Sequence, residues 1–232
     1  MALILENITQ NYDNGAPLYS NFSACFVRGR IYAIMGKSGS GKTTLLNVIA
    51  NLTNYTGSVS TSQVSYLFQH STLVDKLTVN ANLHLTLKSC CKDKAERQSQ
   101  IDAFLSQAQI LHLKDKFPTQ ISAGERRRVD IARAFLHHSS VVLLDEPFTG
   151  LDYGIKQDLL SCLCNFAKST NRIVIFVTHD VDEALAVADE IKLVDGKPVN
   201  LLHVASINEP YEQRDLTTQQ MVQTRQRILS NL

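Results

Sequence analysis

Apolar residues along this chain fall into two alternating rhythms. Continuous runs at 31–35, 141–144 and 173–178 have the length and β-branched content of strands buried on both faces. Each is followed by apolar residues three and four apart: Leu45, Leu46, Val48 and Ile49 after the first, 155–167 after the second, 181–187 after the third. A helix over 126–136 and strands near 191–194 and 200–204 continue the series. Such alternation predicts parallel strands joined by crossover helices, hence an α/β class. The opening of the chain reads differently. Runs at 2–8 and 22–27, separated by Asn-Gly and Arg-Gly turn signals, predict a β-rich start, and Thr56-Gly57-Ser58 reads as a turn into a strand at 63–68. Between 70 and 120 the spacing is helical, with segments at 79–87 and 95–111, which predicts an inserted helical block. The stretch 208–232 is polar, with Met221, Val222, Ile228 and Leu229 on a weak stripe that would dock as a terminal helix or fray.

Composition narrows the class only a little. With 232 residues and 44% hydrophobic content the chain has enough apolar surface for a core of one large domain, or one domain with a small insert. Its 23 basic and 22 acidic residues leave a net charge of +1, so no global field recommends nucleic acid as a partner. No apolar run approaches the roughly 18 residues that cross a bilayer, and Met1-Ala2-Leu3-Ile4-Leu5-Glu6 lacks the basic flank of a signal peptide. A cytosolic chain is expected. Cys25, Cys90, Cys91, Cys162 and Cys164 show no paired zinc spacing and read as reduced thiols, the last two on different sides of one helix.

The chemistry is more specific. Gly36-Lys37-Ser38-Gly39-Ser40-Gly41-Lys42-Thr43 follows a predicted strand and opens a helix, continued by Thr44. Glycines there let backbone amides close around a polyphosphate, Lys42 would reach its β- and γ-phosphates, and the Thr43 hydroxyl would ligate Mg²⁺. Asp145 ends a buried strand, where open α/β sheets place their ligands, and would hold Mg²⁺ through water. Glu146 follows in what reads as an extended segment before Pro147, its side chain directed away from Asp145, and is the candidate general base. Gln69, just after a strand, would touch Mg²⁺ and the attacking water. His179, after another strand, would bond the γ-phosphate or that water. Tyr12, before Asp13-Asn14-Gly15, would stack on adenine. A helix's length before Asp145, Ile121-Ser122-Ala123-Gly124-Glu125 reads as a helix start, with Ser122 as N-cap and Glu125 in the first turn.

Taken in order, these motifs resemble the ATP-binding subunits of the ABC transporter family over nearly the whole chain. Tyr12 matches the adenine-stacking loop, 36–43 Walker A, Gln69 the Q-loop, 121–125 the signature, 141–146 Walker B, 149–152 the D-loop with Asp152, and His179 the switch histidine. The resemblance implies a P-loop NTPase (RecA-like) parallel core sheet with an N-terminal antiparallel β-subdomain and an inserted α-helical subdomain. Its parts would be 1–69, the helical 70–120, 121–207 carrying the signature, Walker B, D-loop and switch histidine, and the tail 208–232. It also implies ATP and Mg²⁺ as cofactors and a head-to-tail homodimer. In that dimer Ser122 and the Gly124 amide of one subunit complete the γ-phosphate site of the other. A transmembrane permease would be the partner, with the chain peripheral on the cytoplasmic side of the membrane.

Phe117-Pro118-Thr119-Gln120, Leu77-Thr78-Val79-Asn80 and Asp145-Glu146-Pro147-Phe148 look like bacterial importers of the nitrate, sulfonate and taurine type, which work with a substrate-binding protein. An export pump's ATPase is the nearest alternative, followed by a soluble ABC ATPase and a non-hydrolysing regulatory subunit. Two positions depart from the family's Leu-Ser-Gly-Gly-Gln. Ala123 adds one methyl group, and Glu125 adds an anion close to the phosphate. Arg126-Arg127-Arg128 would either neutralise Glu125 or form a solvated basic face.

Overall fold

A computed structural model describes residues 2–12, 15–60, 63–88 and 90–232. Its centre is a six-stranded sheet in the order β5-β6-β7-β3-β8-β9, formed by β5 (Val64–Leu67), β6 (Val141–Asp145), β7 (Ile173–Val177), β3 (Ile31–Met35), β8 (Glu190–Asp195) and β9 (Asn200–Ser206). The first five are parallel. Because β3, β6 and β7 are buried on both faces, alternate residues serve two cores. Ala33, Met35, Val142, Leu144, Val174 and Phe176 pack into one, and Ile34, Leu143, Ile175 and Val177 into the other. The continuous apolar runs of the sequence are this double burial.

The strand β9 departs from the parallel expectation. It runs antiparallel to β8 because only Gly196 to Val199 separate them, too short a link for a crossover. A second sheet, β2-β1-β4, is antiparallel, made of β1 (Ala2–Asn11), β2 (Pro17–Val27) and β4 (Thr56–Val59). Thr56-Gly57-Ser58, expected to turn, is therefore strand. Gly57 has φ +102, and a Cβ there would stand 2.5 Å from the Glu6 carbonyl oxygen, so this glycine serves close strand approach beside the irregular register of β1. Of the Asp13-Asn14-Gly15 turn signal, Asp13 and Asn14 lie outside the described residues.

The helices are α1 (Lys42–Ile49), α2 (Val79–Leu87), α3 (Lys94–Gln107), α4 (Ala123–Leu136), α5 (Tyr153–Thr170), α6 (Val181–Val187) and α7 (Gln219–Leu229). Side-chain caps start most of them: Thr78 accepts from the Ala81 amide, Asp93 from Glu96, Asp180 from Asp182, and Thr218 from Met221. The expected helix to residue 111 stops at Gln107, where Gln109 takes a left-handed φ of +59 and a short 3-10 turn, Leu111–Leu113, follows. The signature helix begins three residues earlier than its apolar stripe suggested, because Ser122 caps it. The terminal helix docks rather than frays, burying Met221 and Ile228 and pairing Arg225 with Asp182 at 2.5 Å. Cys162 and Cys164 sit two apart on α5 yet are both buried, since neighbouring helices cover more than one side of it, and burial pushes both thiols up to about 12. No helix among the described residues is long and apolar enough to cross a membrane.

Candidate functional site

Parallel strands β5, β6, β7 and β3 all end at one edge of the sheet, and the glycine loop, Gln69, Asp145-Glu146 and His179 stand at or just after those ends. From β3 the chain enters the glycine loop, where Gly39 and Gly41 adopt φ of +73 and +100, closed to residues with a side chain at little cost. Lys42 is 7% exposed, and its Nζ donates to the carbonyls of Gly36 and Lys37, both at 2.8 Å. Burial pulls its ammonium below the usual lysine range, and the nearby Glu146 and Asp145 carboxylates act against that pull. Buried Tyr19, which sequence reasoning passed over, donates to the Gly41 carbonyl at 2.9 Å and braces the start of α1. Ser40 Oγ is buried with no partner, an orphan donor inside the cradle. Lys37, Ser38 and Gly39 are exposed at its rim, and Thr44 is half-buried.

Thr43 Oγ1 donates to Asp145 Oδ1 at 3.2 Å, so the two expected metal ligands already meet. Burial raises the Asp145 carboxyl above the usual range, and the Thr43 bond opposes that rise. A hydroxyl and a carboxylate are hard oxygen donors of the kind Mg²⁺ accepts. Among the described residues no group of three or more His, Cys, Asp or Glu could hold a metal. A Mg²⁺ ion here would thus rely on phosphate and water for its remaining ligands, as it does in nucleotide sites.

Glu146 corrects one expectation. Its φ is +45, left-handed rather than extended, because its amide bonds to Val177 O at 3.2 Å and the chain turns there. Such a conformation costs about 1–3 kcal/mol in a non-glycine residue. Its Oε2 accepts from Thr149 Oγ1 at 3.0 Å and Gln69 Nε2 at 3.4 Å, and Oε1 lies 3.8 Å from His179 Nδ1. Gln69, Glu146 and His179 are therefore brought together, with the His179 side chain 64% exposed.

Of the three arginines, none forms an ion pair with Glu125 among the described residues, although the Arg128 charge still favours its carboxylate after the Ser122 bonds. Arg126 donates to Pro118 O, Arg128 pairs with Asp158, and Arg127, 8% exposed, points inward to main-chain carbonyls at the ends of β5 and β6. Charge-assisted hydrogen bonds of this kind are worth about 1.5–3 kcal/mol each, enough in pairs to offset the strain at Glu146. Nothing in a run of three arginines shows which one turns inward; the nearest signal is Asp130, a carboxylate on the apolar stripe of α4. It is 1% exposed and 3.1 Å from Arg133.

Glu125 instead closes a capping box. Its Oε2 accepts from the Ser122 amide at 2.8 Å and the Ser122 hydroxyl at 2.9 Å, while its own amide donates to Ser122 Oγ at 3.2 Å. Those Ser122 bonds hold its carboxyl below the usual range. At Gly124 a Cβ would stand 2.5 Å from Ile155 Cγ2 on α5, so this glycine is a packing position. Gly124→Ala is expected to destabilise the fold by about 1–3 kcal/mol, read as a lower urea midpoint. Asp152 caps α5 by position without a side-chain bond. One turn on, Lys156 pairs with Asp180 at 3.1 Å and Glu183 at 2.7 Å, and Glu183 accepts from Thr178 Oγ1. The D-loop helix is thereby tied to the loop that carries His179. Tyr12 is half-buried against the core beside the antiparallel sheet.

The signature and the glycine loop do not meet within one chain. A hollow of about 190 Å³ at the start of α4 is lined by Ser122, Gly124, Glu125, Arg128 and Ile155 with Gln109, Ile110 and His112, and by no residue of the glycine loop. The glycine loop thus offers an anion cradle, and the signature, at a separate hollow, a helix N-terminus with amide donors.

Comparison with known proteins identifies the family. The family model described as ABC transporter matches residues 19–149. A sulfate/thiosulfate import ATP-binding protein CysA of Pseudomonas syringae pv. tomato is 33% identical over 231 residues, covering 91% of this chain and 69% of that protein. Its counterpart in Synechococcus elongatus is 37% identical over 180 residues, covering 72% of this chain and 52% of that protein. The chain thus spans about half to two thirds of the length of these curated relatives. Among solved structures, a dimeric bacterial ABC transporter cassette superposes with a TM-score of 0.72 at 27% identity, covering 82% of this chain and 93% of that one. An ATP-binding subunit of an ABC transporter superposes with the same TM-score at 23% identity, covering 83% and 85%.

Proposed function

The chain belongs to the ABC transporter family, and from that premise we propose that it is the ATP-hydrolysing subunit of a membrane transporter, working as a head-to-tail pair around two shared ATP molecules. The observation that carries this reading is that the phosphate cradle and the capped helix N-terminus line different hollows of the chain and share no residue. A second copy supplies the missing half, consistent with the dimeric cassette among the solved relatives.

Each residue then has a task. Amides of 36–41 and the Lys42 ammonium bind the β- and γ-phosphates, with Lys42 exchanging its loop carbonyls for phosphate oxygens. Thr43 and Asp145, with Gln69 nearby, would hold Mg²⁺, which supplies charge neutralisation on the phosphates when bound. Glu146 orients and deprotonates water, Gln69 and His179 fix that water and the γ-phosphate, and Tyr12 stacks on adenine. Ser122 and the Gly124 amide close the far side of the γ-phosphate, which excludes water and stabilises the charge that develops there. Loss of the γ-phosphate removes the shared ligand and opens the pair, and the helices between 70 and 120 pass that motion to a permease on the cytoplasmic face of the membrane.

Import is the direction we favour, because the curated relatives are named as sulfate/thiosulfate import proteins. Sulfate and thiosulfate, like the nitrate and sulfonates of the importer type that 77–80, 117–120 and 145–148 resemble, are oxyanions, so an oxyanion is the first cargo to test. Copurification with a permease and a substrate-binding protein is expected; copurification with a permease alone would favour export.

Glu125 bears on the strength of the pair. In the isolated subunit it takes both donors of Ser122, and it places an anion where the partner's γ-phosphate arrives. Glu125→Gln is expected to lower the ATP concentration needed for half-maximal dimerisation by about tenfold in analytical ultracentrifugation. An unchanged midpoint would show that the carboxylate turns away in the pair.

A further inference from the structure

Arg127 reaches four main-chain oxygens from inside α4. Its Nε donates to Pro147 O at 2.7 Å, Nη1 to Phe68 O at 3.0 Å, and Nη2 to Glu146 O at 2.9 Å and Asp145 O at 3.3 Å. These oxygens belong to the residue before Gln69 and to the turn that carries Glu146. We infer that Arg127 is a positioning residue for hydrolysis: it holds Glu146 in its left-handed conformation beside Gln69 and ties both to the helix that begins at Ser122. The inference rests on the reading of Glu146 as the base.

The geometry requires an arginine. A planar guanidinium serves oxygens lying in different directions at once, whereas a lysine ammonium is one point charge that cannot span Phe68 on one strand end and Pro147 on another. With its amide bound to Val177 O and its carbonyl to Arg127, Glu146 is fixed on both sides, so its φ of +45 sets where the carboxylate stands. Release of the carbonyl frees the peptide to relax toward commoner backbone conformations and displaces the carboxylate from Gln69 and Thr149. Six residues further along α4 and on a different side of it, Arg133 holds the Thr72 carbonyl at 3.1 Å and the Thr72 hydroxyl, and pairs with buried Asp130. One arginine thus holds the turn of the base, and the other pairs with Asp130 and holds the loop beyond Gln69, without touching that turn. Because the first turn of α4 receives the partner's nucleotide in the proposed pair, Arg127 also links that event to the base of its own subunit.

The test compares Arg127→Lys with Arg133→Lys in steady-state ATP hydrolysis by the purified chain, corrected for folded protein by circular dichroism. Arg127→Lys is expected to lower kcat about tenfold or more while KM for ATP stays within about twofold, and Arg133→Lys to stay within about twofold of wild type in both. A normal kcat in Arg127→Lys, or an equal fall in Arg133→Lys, would overturn the inference, the latter by showing general loosening. Should Arg127→Lys not fold, Arg127→Gln replaces it under the same criteria. Failure of the underlying reading shows separately. Wild-type turnover in Glu146→Gln overturns the base assignment and this role with it, whereas an inactive Glu146→Gln beside a normal Arg127→Lys overturns only the role of Arg127.

Discussion

Lys42→Ala is expected to abolish measurable ATP binding, with affinity lower by about two to three powers of ten when titrated calorimetrically. The size follows from burial. Lys42 is 7% exposed, and the carboxylates of Asp145 and Glu146 both favour its charged form. Without it, the phosphates would enter a cleft already holding two carboxylates and no compensating ammonium, and the Gly36 and Lys37 carbonyls would lose their shared donor. Removing one partner of a buried charge cluster costs about 3–5 kcal/mol, far above the effect of an exposed lysine. Unchanged affinity would place the nucleotide elsewhere.

Glu146→Gln is expected to leave ATP affinity within about threefold of wild type while hydrolysis falls by about three powers of ten, the range attributed to a general base. The amide is isosteric and its oxygen still accepts from Thr149, so the local structure survives. What is lost is the proton acceptor. Wild-type turnover in this variant would remove Glu146 from the chemistry.

How much of this was legible in the sequence differs by residue. The contiguous glycine loop, Asp145 and the sheet around them were readable because strand, loop and helix follow one another locally, and five parallel strand ends bring the separate motifs to one edge. Arg127, Lys156 and Tyr19 were not, because each acts on residues far away in sequence. Tyr19 serves Gly41, Lys156 serves Glu183, and Arg127 serves Phe68 and Pro147. Helical spacing shows that a residue faces inward but not which carbonyl waits there. Asn82 is a further case. A polar residue in the stripe of α2, it is buried because its side chain bonds Val74, Leu77 and Thr78 and so orders the loop after Gln69. Gly57 failed in the opposite way, as a turn residue by composition that the strand needs for contact.

In the proposed pair each ATP is held by the glycine loop of one subunit and the first turn of α4 of another. Ser122→Asp, built on Glu146→Gln, separates that arrangement from any other: Asp keeps the N-cap of the helix yet puts an anion against the partner's γ-phosphate. Sedimentation in ATP and Mg²⁺ should show Glu146→Gln as a dimer and the double variant as a monomer that binds ATP with unchanged affinity. A double variant that still dimerises in ATP, or a Glu146→Gln subunit that stays monomeric, would show that ATP is not shared between subunits in this way.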